Sequence, residues 1–171
     1  TPARFPPEKE SIAAQKIAEA MHQLGAGPDD LALTQGACGG DLLFTEACLQ
    51  CGVRVHWLQP FSEPDFIENS VVRNWEDWRR RYFDARAKLA APIRSAPDAL
   101  GPPPPHSEPD YPYQRCNLWL LYTALACGLD KVNFVCLWNG QGGDGPGGTA
   151  HMYNEVKRRT GRVTWIDTRK L

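Results

Sequence analysis

The sequence predicts an α/β fold, a Rossmann-like three-layer sandwich with a mainly parallel sheet. Short apolar segments typical of strands alternate with longer segments in which apolar residues recur at helical spacing. Two of the strand-like segments are each followed by a glycine-rich loop and then by a helix-like segment. The alternation covers all 171 residues without an internal repeat, so we expect a single domain over residues 1–171.

The first part of the chain predicts the order helix, strand, helix, strand. Residues 8–24 place their apolar side chains on one face of a helix, and residues 31–34 form a short apolar strand. Residues 42–50 form the next helix with Asp41 as its N-cap, and residues 53–58 form the next strand. Because a helix separates the two strands, we expect them to be parallel.

The middle of the chain is less regular. Residues 64–72 indicate a loop with a short helical turn, and residues 75–89 predict a long helix rich in aromatic side chains. Residues 92–112 are rich in proline, and we interpret them as a surface excursion. This excursion is not a domain boundary, because the segments after it are needed to complete the sheet.

The last part of the chain returns to alternating helices and strands. Residues 116–127 predict an apolar helix, and residues 132–138 a continuous apolar strand of the kind buried on both faces. A helix over residues 149–159 and a final strand over residues 163–166 follow. A fold of this class normally begins with a strand, so we expect a first strand upstream of the helix at residues 8–24.

Composition and charge bear on several classes of function. The net charge of −1 gives no indication of nucleic-acid binding. No apolar run approaches the ~20 residues of a membrane span, and the first residues lack the apolar core of a signal peptide. We therefore expect no membrane or nucleic-acid partner, and a cytoplasmic location.

The six cysteines predict buried apolar side chains, since most of them lie inside strand-like or helix-like segments. Cys48 and Cys51 have a CxxC spacing, for which a zinc or redox role is the alternative. The four histidines show no metal-ligand spacing. The sequence thus predicts no metal site and no required cofactor.

Two glycine-rich loops carry the main functional signal, the first at residues 35–41 and the second at residues 139–149. In a parallel α/β sheet both loops lie where the carboxyl ends of strands meet the amino ends of helices, which is where such folds bind ligands. Glycine lets backbone N–H groups approach an anion without a Cβ in the way. We therefore predict a nucleotide-type ligand between the two loops.

The predicted ligand contacts divide by chemistry. Glycines cradle a phosphate, and Thr149 acts as an N-cap whose hydroxyl donates to it. Asp41 and Asp144 suit ribose hydroxyls or a cation, and His151 lies in the first turn of the last helix. The alternatives are tight turns without a ligand for the glycines and solvated cap or surface positions for the others. The predicted set is Gly36, Gly39, Gly40, Asp41, Asp144, Gly145, Gly147, Gly148, Thr149 and His151.

Two carboxylates are candidates for catalysis. Glu46 and Glu155 each lie within a helix that follows a glycine loop. Either side chain has the chemistry to stabilise an oxocarbenium-like ribosyl centre or to act on water, as cleavage of an N-glycosidic bond requires. The sequence carries no P-loop motif and no recognisable Ser-His-Asp signature.

The loop residues resemble a known superfamily. A glycine loop after an early strand, followed late in the chain by Pro146-Gly147-Gly148-Thr149 and a helix containing Glu155, resembles the SLOG superfamily. That superfamily covers the Smf/DprA proteins and the LOG-type lysine-decarboxylase-like proteins. The chain looks most like the branch attached to tetratricopeptide repeats or other signalling modules in bacterial proteins. The resemblance implies a Rossmann-like pocket for nucleotides or nucleotide-derived ligands.

The resemblance also implies an enzymatic alternative. LOG-type enzymes hydrolyse the N-glycosidic bond of a nucleoside monophosphate, using an Arg and a Glu associated with a PGGxGTxxE motif. After Gly148 this chain lacks the second Gly-Thr pair, and Glu155 is displaced from the position of the motif's Glu.

Three functions follow from these observations. The first is a sensor domain of a bacterial signalling or defence protein that binds a nucleotide or a nucleotide-derived second messenger. Its partners are then a fused or bound effector, such as a tetratricopeptide-repeat region, or a second copy of the domain. The second is a nucleotide N-glycosidase or ribosyl-transferring enzyme, and the third is a protein-interaction module that has lost its ligand.

Overall fold

The structure is a computed structural model, and it describes residues 7–72, 76–142 and 145–171. In these residues helices alternate with short strands, in the order α1 (Glu10–Gln23), β1 (Leu31–Thr34), α2 (Gly40–Gln50), β2 (Arg54–Gln59), α3 (Glu63–Phe66), α4 (Glu76–Arg86), β3 (Arg94–Ser95), α5 (Ala96–Leu100), α6 (Tyr111–Leu125), β4 (Phe134–Trp138), α7 (Thr149–Arg159) and β5 (Val163–Asp167). Short 3₁₀ turns and one π turn, Ile67–Val71, complete the chain between them.

The described strands form two parallel half-sheets that are not paired with each other. β1, β2 and β3 pair in that order, with Leu31 opposite Arg54 at the start of β1. β4 pairs with β5 along its whole length, from Phe134 opposite Val163. A helix connects each long pair, α2 between β1 and β2 and α7 between β4 and β5, because parallel strands require such a crossover. The predicted α/β class with parallel strands is therefore confirmed.

The larger apolar core lies around β1 and β2 and under α1, α2 and α4. Trp57 on β2 is fully buried, with its ring centroid 4.8 Å from that of Tyr82, and its indole N–H donates to Oγ1 of Thr45. A buried indole requires such a hydrogen-bond partner. A smaller cluster of Leu121, Met152 and Val156 joins α6 to α7. Ile166 of β5 belongs to the larger core, and Val135 and Leu137 of β4 pack against it, so the larger core extends across both half-sheets.

Arg81 holds three helices together on one side of the molecule. From α4 its guanidinium donates two hydrogen bonds to Glu46 on α2, at 2.8 and 2.6 Å, and one to Glu10 on α1 at 2.5 Å. The same group lies 4.2 Å from the ring centroid of Trp78. The hydrogen bonds to Glu46 are the largest cause of the raised pKa of Arg81. The planar guanidinium suits this arrangement because it can stack and bind a carboxylate with two hydrogen bonds.

The proline-rich segment contributes to the sheet. Within residues 92–112, Arg94 and Ser95 pair with the end of β2, and the hydroxyl of Ser95 accepts from the N–H of Asp98 at the start of α5. A strand of two residues is too short to produce a periodic pattern, and for this reason the sequence predicted only a surface excursion. Within the described residues, every helix is too short or too polar to cross a lipid bilayer.

Four of the cysteines are free thiols in different environments. Cys48, Cys116 and Cys136 are buried, and Cys127 is exposed. Burial raises the pKa of Cys48 and of Cys136 to about 12, and it raises the pKa of Cys116 as well. Because the thiolate is the nucleophile, a raised pKa suppresses reaction at neutral pH.

We expect alkylation to separate these thiols. At pH 8, N-ethylmaleimide is expected to modify Cys127 about a hundredfold faster than Cys48, Cys116 or Cys136 in the folded protein, because burial both shields these thiols and disfavours their thiolates. In urea all four are expected to react at similar rates. Mass spectrometry of the labelled peptides measures the difference, and rapid native labelling of the buried three would contradict this placement.

Replacement of Arg81 tests the three-helix contact. Arg81→Lys keeps the charge but loses the paired hydrogen bonds and the stacking on Trp78, so we expect the free energy of unfolding in urea to fall by about 1–2 kcal/mol. The matched control is Arg80→Lys on the same helix, where the arginine pairs with Asp77 and Asp84 in solvent. Equal urea midpoints for the two variants would show that the buried contact contributes nothing specific.

Candidate functional site

A cavity of about 1100 Å³ lies between the two half-sheets. One end of the cavity lies at the carboxyl ends of β1 and β4, where both glycine loops lie. We call this end the polar mouth, and the described residues that form it are Gly39, Gly40, Asp41, Asp110, Tyr113, Asn117, Gly147, Gly148 and Thr149. The interior, which we call the apolar slot, runs between β1 and β4 and is lined by Ile17, Met21, Leu31, Leu33, Leu120, Leu121, Val135 and Leu137.

The first glycine loop uses its glycines in two ways. A Cβ at Gly36 would lie 2.7 Å from the ring of Trp57, so this glycine allows close packing and does not line the cavity. Gly39 has a φ of 85° with open space around it, and it is the N-cap of α2. Gly39 and Gly40 therefore present the amino end of α2 to the mouth. The predicted N-cap, Asp41, lies inside the first turn, where its carboxylate accepts from the N–H of Ala37 at 3.3 Å.

The second glycine loop packs against the amino end of α6. A Cβ at Gly147 would lie 2.8 Å from Cβ of Tyr113, so only glycine permits this approach. Gly145 has a φ of 80° and lies beside Asp110 without lining the cavity. Gly148 is the N-cap of α7, one residue before the predicted cap Thr149, and both residues line the mouth. Asp144, the other predicted acidic contact, lies outside the described residues.

A buried amide connects the two loops. The Asn117 side chain on α6 donates to the carbonyl of Gly147 at 2.7 Å and accepts from Nε2 of Gln35 at 2.7 Å. Gln35 belongs to the first loop and Gly147 to the second, so one side chain fixes their separation. The carbonyl of Gln35 also accepts from Nε2 of the fully buried Gln59 at 3.1 Å. We refer to Gln35, Asn117 and Gly147 as the amide bridge.

Sequence reasoning missed the amide bridge. Asn117 occurs within a strongly apolar helix and is only 8% exposed. A polar residue inside such a segment is a detectable signal, because a buried amide must find hydrogen-bond partners. The identity of those partners has no sequence signal, since Gln35 lies 82 positions away from Asn117.

The two candidate catalytic carboxylates lie away from the cavity. Glu46 accepts the two hydrogen bonds from Arg81. Glu155 pairs with Arg159 and Arg158, and its pKa is lowered mainly by the hydrogen bond from Arg159. Neither residue lines the cavity, so the structure does not bring them together with the glycine loops.

His151 is also separate from the mouth. It lies in the first turn of α7, is partly buried and does not line the cavity. Its Nδ1 is buried and has no hydrogen-bond partner in the described part of the chain. The predicted ligand contact of His151 therefore requires a rearrangement of α7 or of its side chain.

The ionisable groups around the cavity are distributed unevenly. Asp41 and Asp110 lie at the mouth. Among the described lining residues, the cationic side chains are Arg54 and Lys131. Arg54 begins β2 and Lys131 comes shortly before β4, so both lie at the end of the strands opposite to the mouth. The mouth thus offers helix N–H groups and carboxylates, without a described lysine or arginine to neutralise several phosphates. In the described ranges no group of three or more His, Cys, Asp or Glu is arranged to hold a metal ion.

Disruption of the amide bridge is expected to loosen the second loop. Asn117→Asp replaces the group that donates to Gly147 with a carboxylate that repels the carbonyl oxygen, which is expected to lower the free energy of unfolding by about 1–3 kcal/mol. Hydrogen exchange of peptides covering residues 139–149 is expected to accelerate. The control is Asn154→Asp at an exposed position of α7. Unchanged exchange in Asn117→Asp would mean that the bridge does not order the loop.

No family model, curated protein or solved structure matches this chain. The resemblance to the SLOG superfamily therefore remains a prediction from the loop residues, and a proposal for function depends on the geometry of the mouth.

Proposed function

We propose that this chain is a nucleotide-binding sensor domain of a bacterial signalling or defence protein. The observation that supports the proposal most is the polar mouth, where two glycine-rich loops and the amino ends of α2 and α7 meet at one cavity. The amino end of each helix carries the positive end of a helix dipole. Two such ends at the mouth suit an anionic group of a ligand.

The charges at the mouth restrict the class of ligand. Asp41 and Asp110 disfavour a ligand with several phosphates, because no described cation lines the mouth beside them. Carboxylates instead accept hydrogen bonds from ribose hydroxyls or from base amino groups. We therefore expect a mononucleotide, or a dinucleotide-type messenger whose phosphates are diesters, in preference to a nucleoside triphosphate.

The amide bridge suggests how binding is transmitted. A ligand that contacts Gly148 and Thr149 orders the second loop, and Asn117 connects that loop to Gln35 in the first. If the ligand has a higher affinity for one arrangement of the two half-sheets, its binding increases the population of that arrangement. The altered surface acts on a fused or bound effector, such as a tetratricopeptide-repeat region, or on a second copy of the domain. The free thiols agree with a cytoplasmic location.

The enzymatic alternative has less support. N-glycosidic cleavage needs a carboxylate near the sugar, whereas Glu46 and Glu155 are both paired with arginines outside the cavity. Incubation with nucleoside monophosphates followed by chromatography separates the two functions. Recovery of intact nucleotide supports the sensor, and release of free base would contradict it.

A thermal-shift screen with 5′-AMP, NAD⁺, ADP-ribose and cyclic dinucleotides tests the proposal directly. A ligand present at about 100 times its Kd is expected to stabilise the folded state by about 2.7 kcal/mol. A lack of any shift across these probes would favour the interaction-module alternative.

Gly148→Val then tests the position of the site for any ligand found. The backbone at Gly148 has a φ of −88°, which valine adopts without strain, so the fold is expected to survive. The added methyl groups enter the mouth and are expected to weaken binding at least about tenfold, measured by calorimetry. The control is Gly142→Val, where a Cβ meets no atom within 4 Å. Equal affinities in the two variants would exclude the mouth as the site.

A further inference from the structure

The apolar slot is bounded by two strand edges with which none of the described strands pairs. The carbonyl of Asp30, just before β1, accepts from the N–H of Arg54 in β2. The main-chain groups of residue 30 therefore point towards β2. Because N–H and C=O groups of successive residues alternate in direction along a strand, those of Leu31 and Leu33 point away from β2 and towards the slot. Within the described ranges no strand pairs with this edge.

The same alternation holds for β4. The N–H of Phe134 donates to the carbonyl of Arg162, which leads into β5. The main-chain groups of Val135 and Leu137 therefore point in the opposite direction, towards the slot. Both residues line the cavity, and β4 has β5 as its described neighbour on the other side. Unpaired main-chain groups of this kind are costly when water is excluded, so the two edges require a partner.

The slot is apolar on both of its faces. Side chains of α1, including Ile17 and Met21, line it together with Leu120 and Leu121 of α6. α1 packs against α2, whereas α6 packs against α7, so two different helix layers cover the slot. A strand placed between β1 and β4 would be covered on both faces, and such strands consist of nearly continuous apolar residues.

The handedness of crossover connections identifies where this strand belongs in the chain. α1 leads into β1, and α2 leads from β1 to β2 in the same helix layer. Strand–helix–strand connections are right-handed in almost all proteins. Two successive right-handed connections through one layer advance across the sheet in one direction. The strand that precedes α1 must therefore lie beside β1 on the side opposite to β2, which is the position of the slot.

We propose that an additional parallel β-strand of about five apolar residues, located N-terminal to α1, fills the slot between β1 and β4 and joins the two half-sheets. The resulting order is β3, β2, β1, the additional strand, β4 and β5. In this order the strands extend in both directions from the additional strand, as they do in a doubly wound sheet. The prolines at positions 2, 6 and 7 cannot donate hydrogen bonds to both neighbours, so the strand lies upstream of Thr1 in the intact polypeptide.

Hydrogen exchange tests this proposal without any ligand, so its outcome is independent of the nucleotide site. The 171-residue chain is compared with the polypeptide extended by its natural upstream residues, and exchange is followed in peptides covering β1 and β4. We expect the extension to slow exchange there at least about tenfold, and to raise the urea midpoint. Unchanged exchange would overturn the proposal, as would natural upstream residues without an apolar run of strand length.

A proline scan distinguishes strand insertion from a general stabilising effect of the extension. Proline at the centre of the apolar run removes a ladder hydrogen bond and is expected to restore fast exchange in β1 and β4. The matched control places proline in the polar residues next to the run, where protection is expected to remain. If β1 and β4 stay fully protected from exchange in both variants, the upstream segment does not form a strand in the slot.

Discussion

The side-chain amide of Asn117 is the contact on which the arrangement of the site depends. One group donates to Gly147 in the second loop and accepts from Gln35 in the first. These loops follow strands of different half-sheets, which have no described hydrogen-bonded pairing of their own. An amide is suited to this position because it is both donor and acceptor, and because its low exposure leaves water little opportunity to compete.

A second polar network, centred on Gln59, holds the first glycine loop. Gln59 is fully buried, and its Nε2 donates to the carbonyl of Gln35 and to the hydroxyl of Tyr82 at 3.0 Å. Tyr82 donates in turn to Glu63, which pairs with Arg86. Burial raises the pKa of Tyr82, so its hydroxyl keeps the proton that it donates. The loop that forms one side of the mouth is therefore connected through this network to β2, α3 and α4.

The split sheet explains why the cavity is so large for a chain of this size. Apolar side chains from both helix layers face a space whose two edges are strand backbones, and no described strand occupies it. The polar mouth and the apolar slot are two ends of this single space. A strand in the slot would leave the mouth open at its carboxyl end, which is where ligands bind in sheets of this class. The nucleotide proposal and the strand proposal are therefore compatible.

Local patterns in the sequence determined much of this protein. Periodicity predicted the α/β class, the order of the main helices and strands, and the parallel direction of the strands. It did so because a buried helix face or a buried strand requires apolar residues at regular positions. The two glycine loops were found because positive φ angles and close contacts exclude other residues, as at Gly39 and Gly147. The starts of α2 and α7 were placed to within about two residues, since Gly39 and Gly148 cap the helices expected to begin after Asp41 and at Thr149. The start of α6 was placed wrongly, because this helix begins at Tyr111 and not at residue 116.

Only the tertiary structure decided which of these residues share a site. Gly36 packs on Trp57, and Glu46 and Glu155 pair with arginines outside the cavity. The residue type of each had nevertheless suggested a role in the site. Asn117 and Gln35 form the bridge across 82 positions of sequence. Contacts of this kind depend on the direction of each side chain after folding, and residue type carries no information about a partner so distant in the chain.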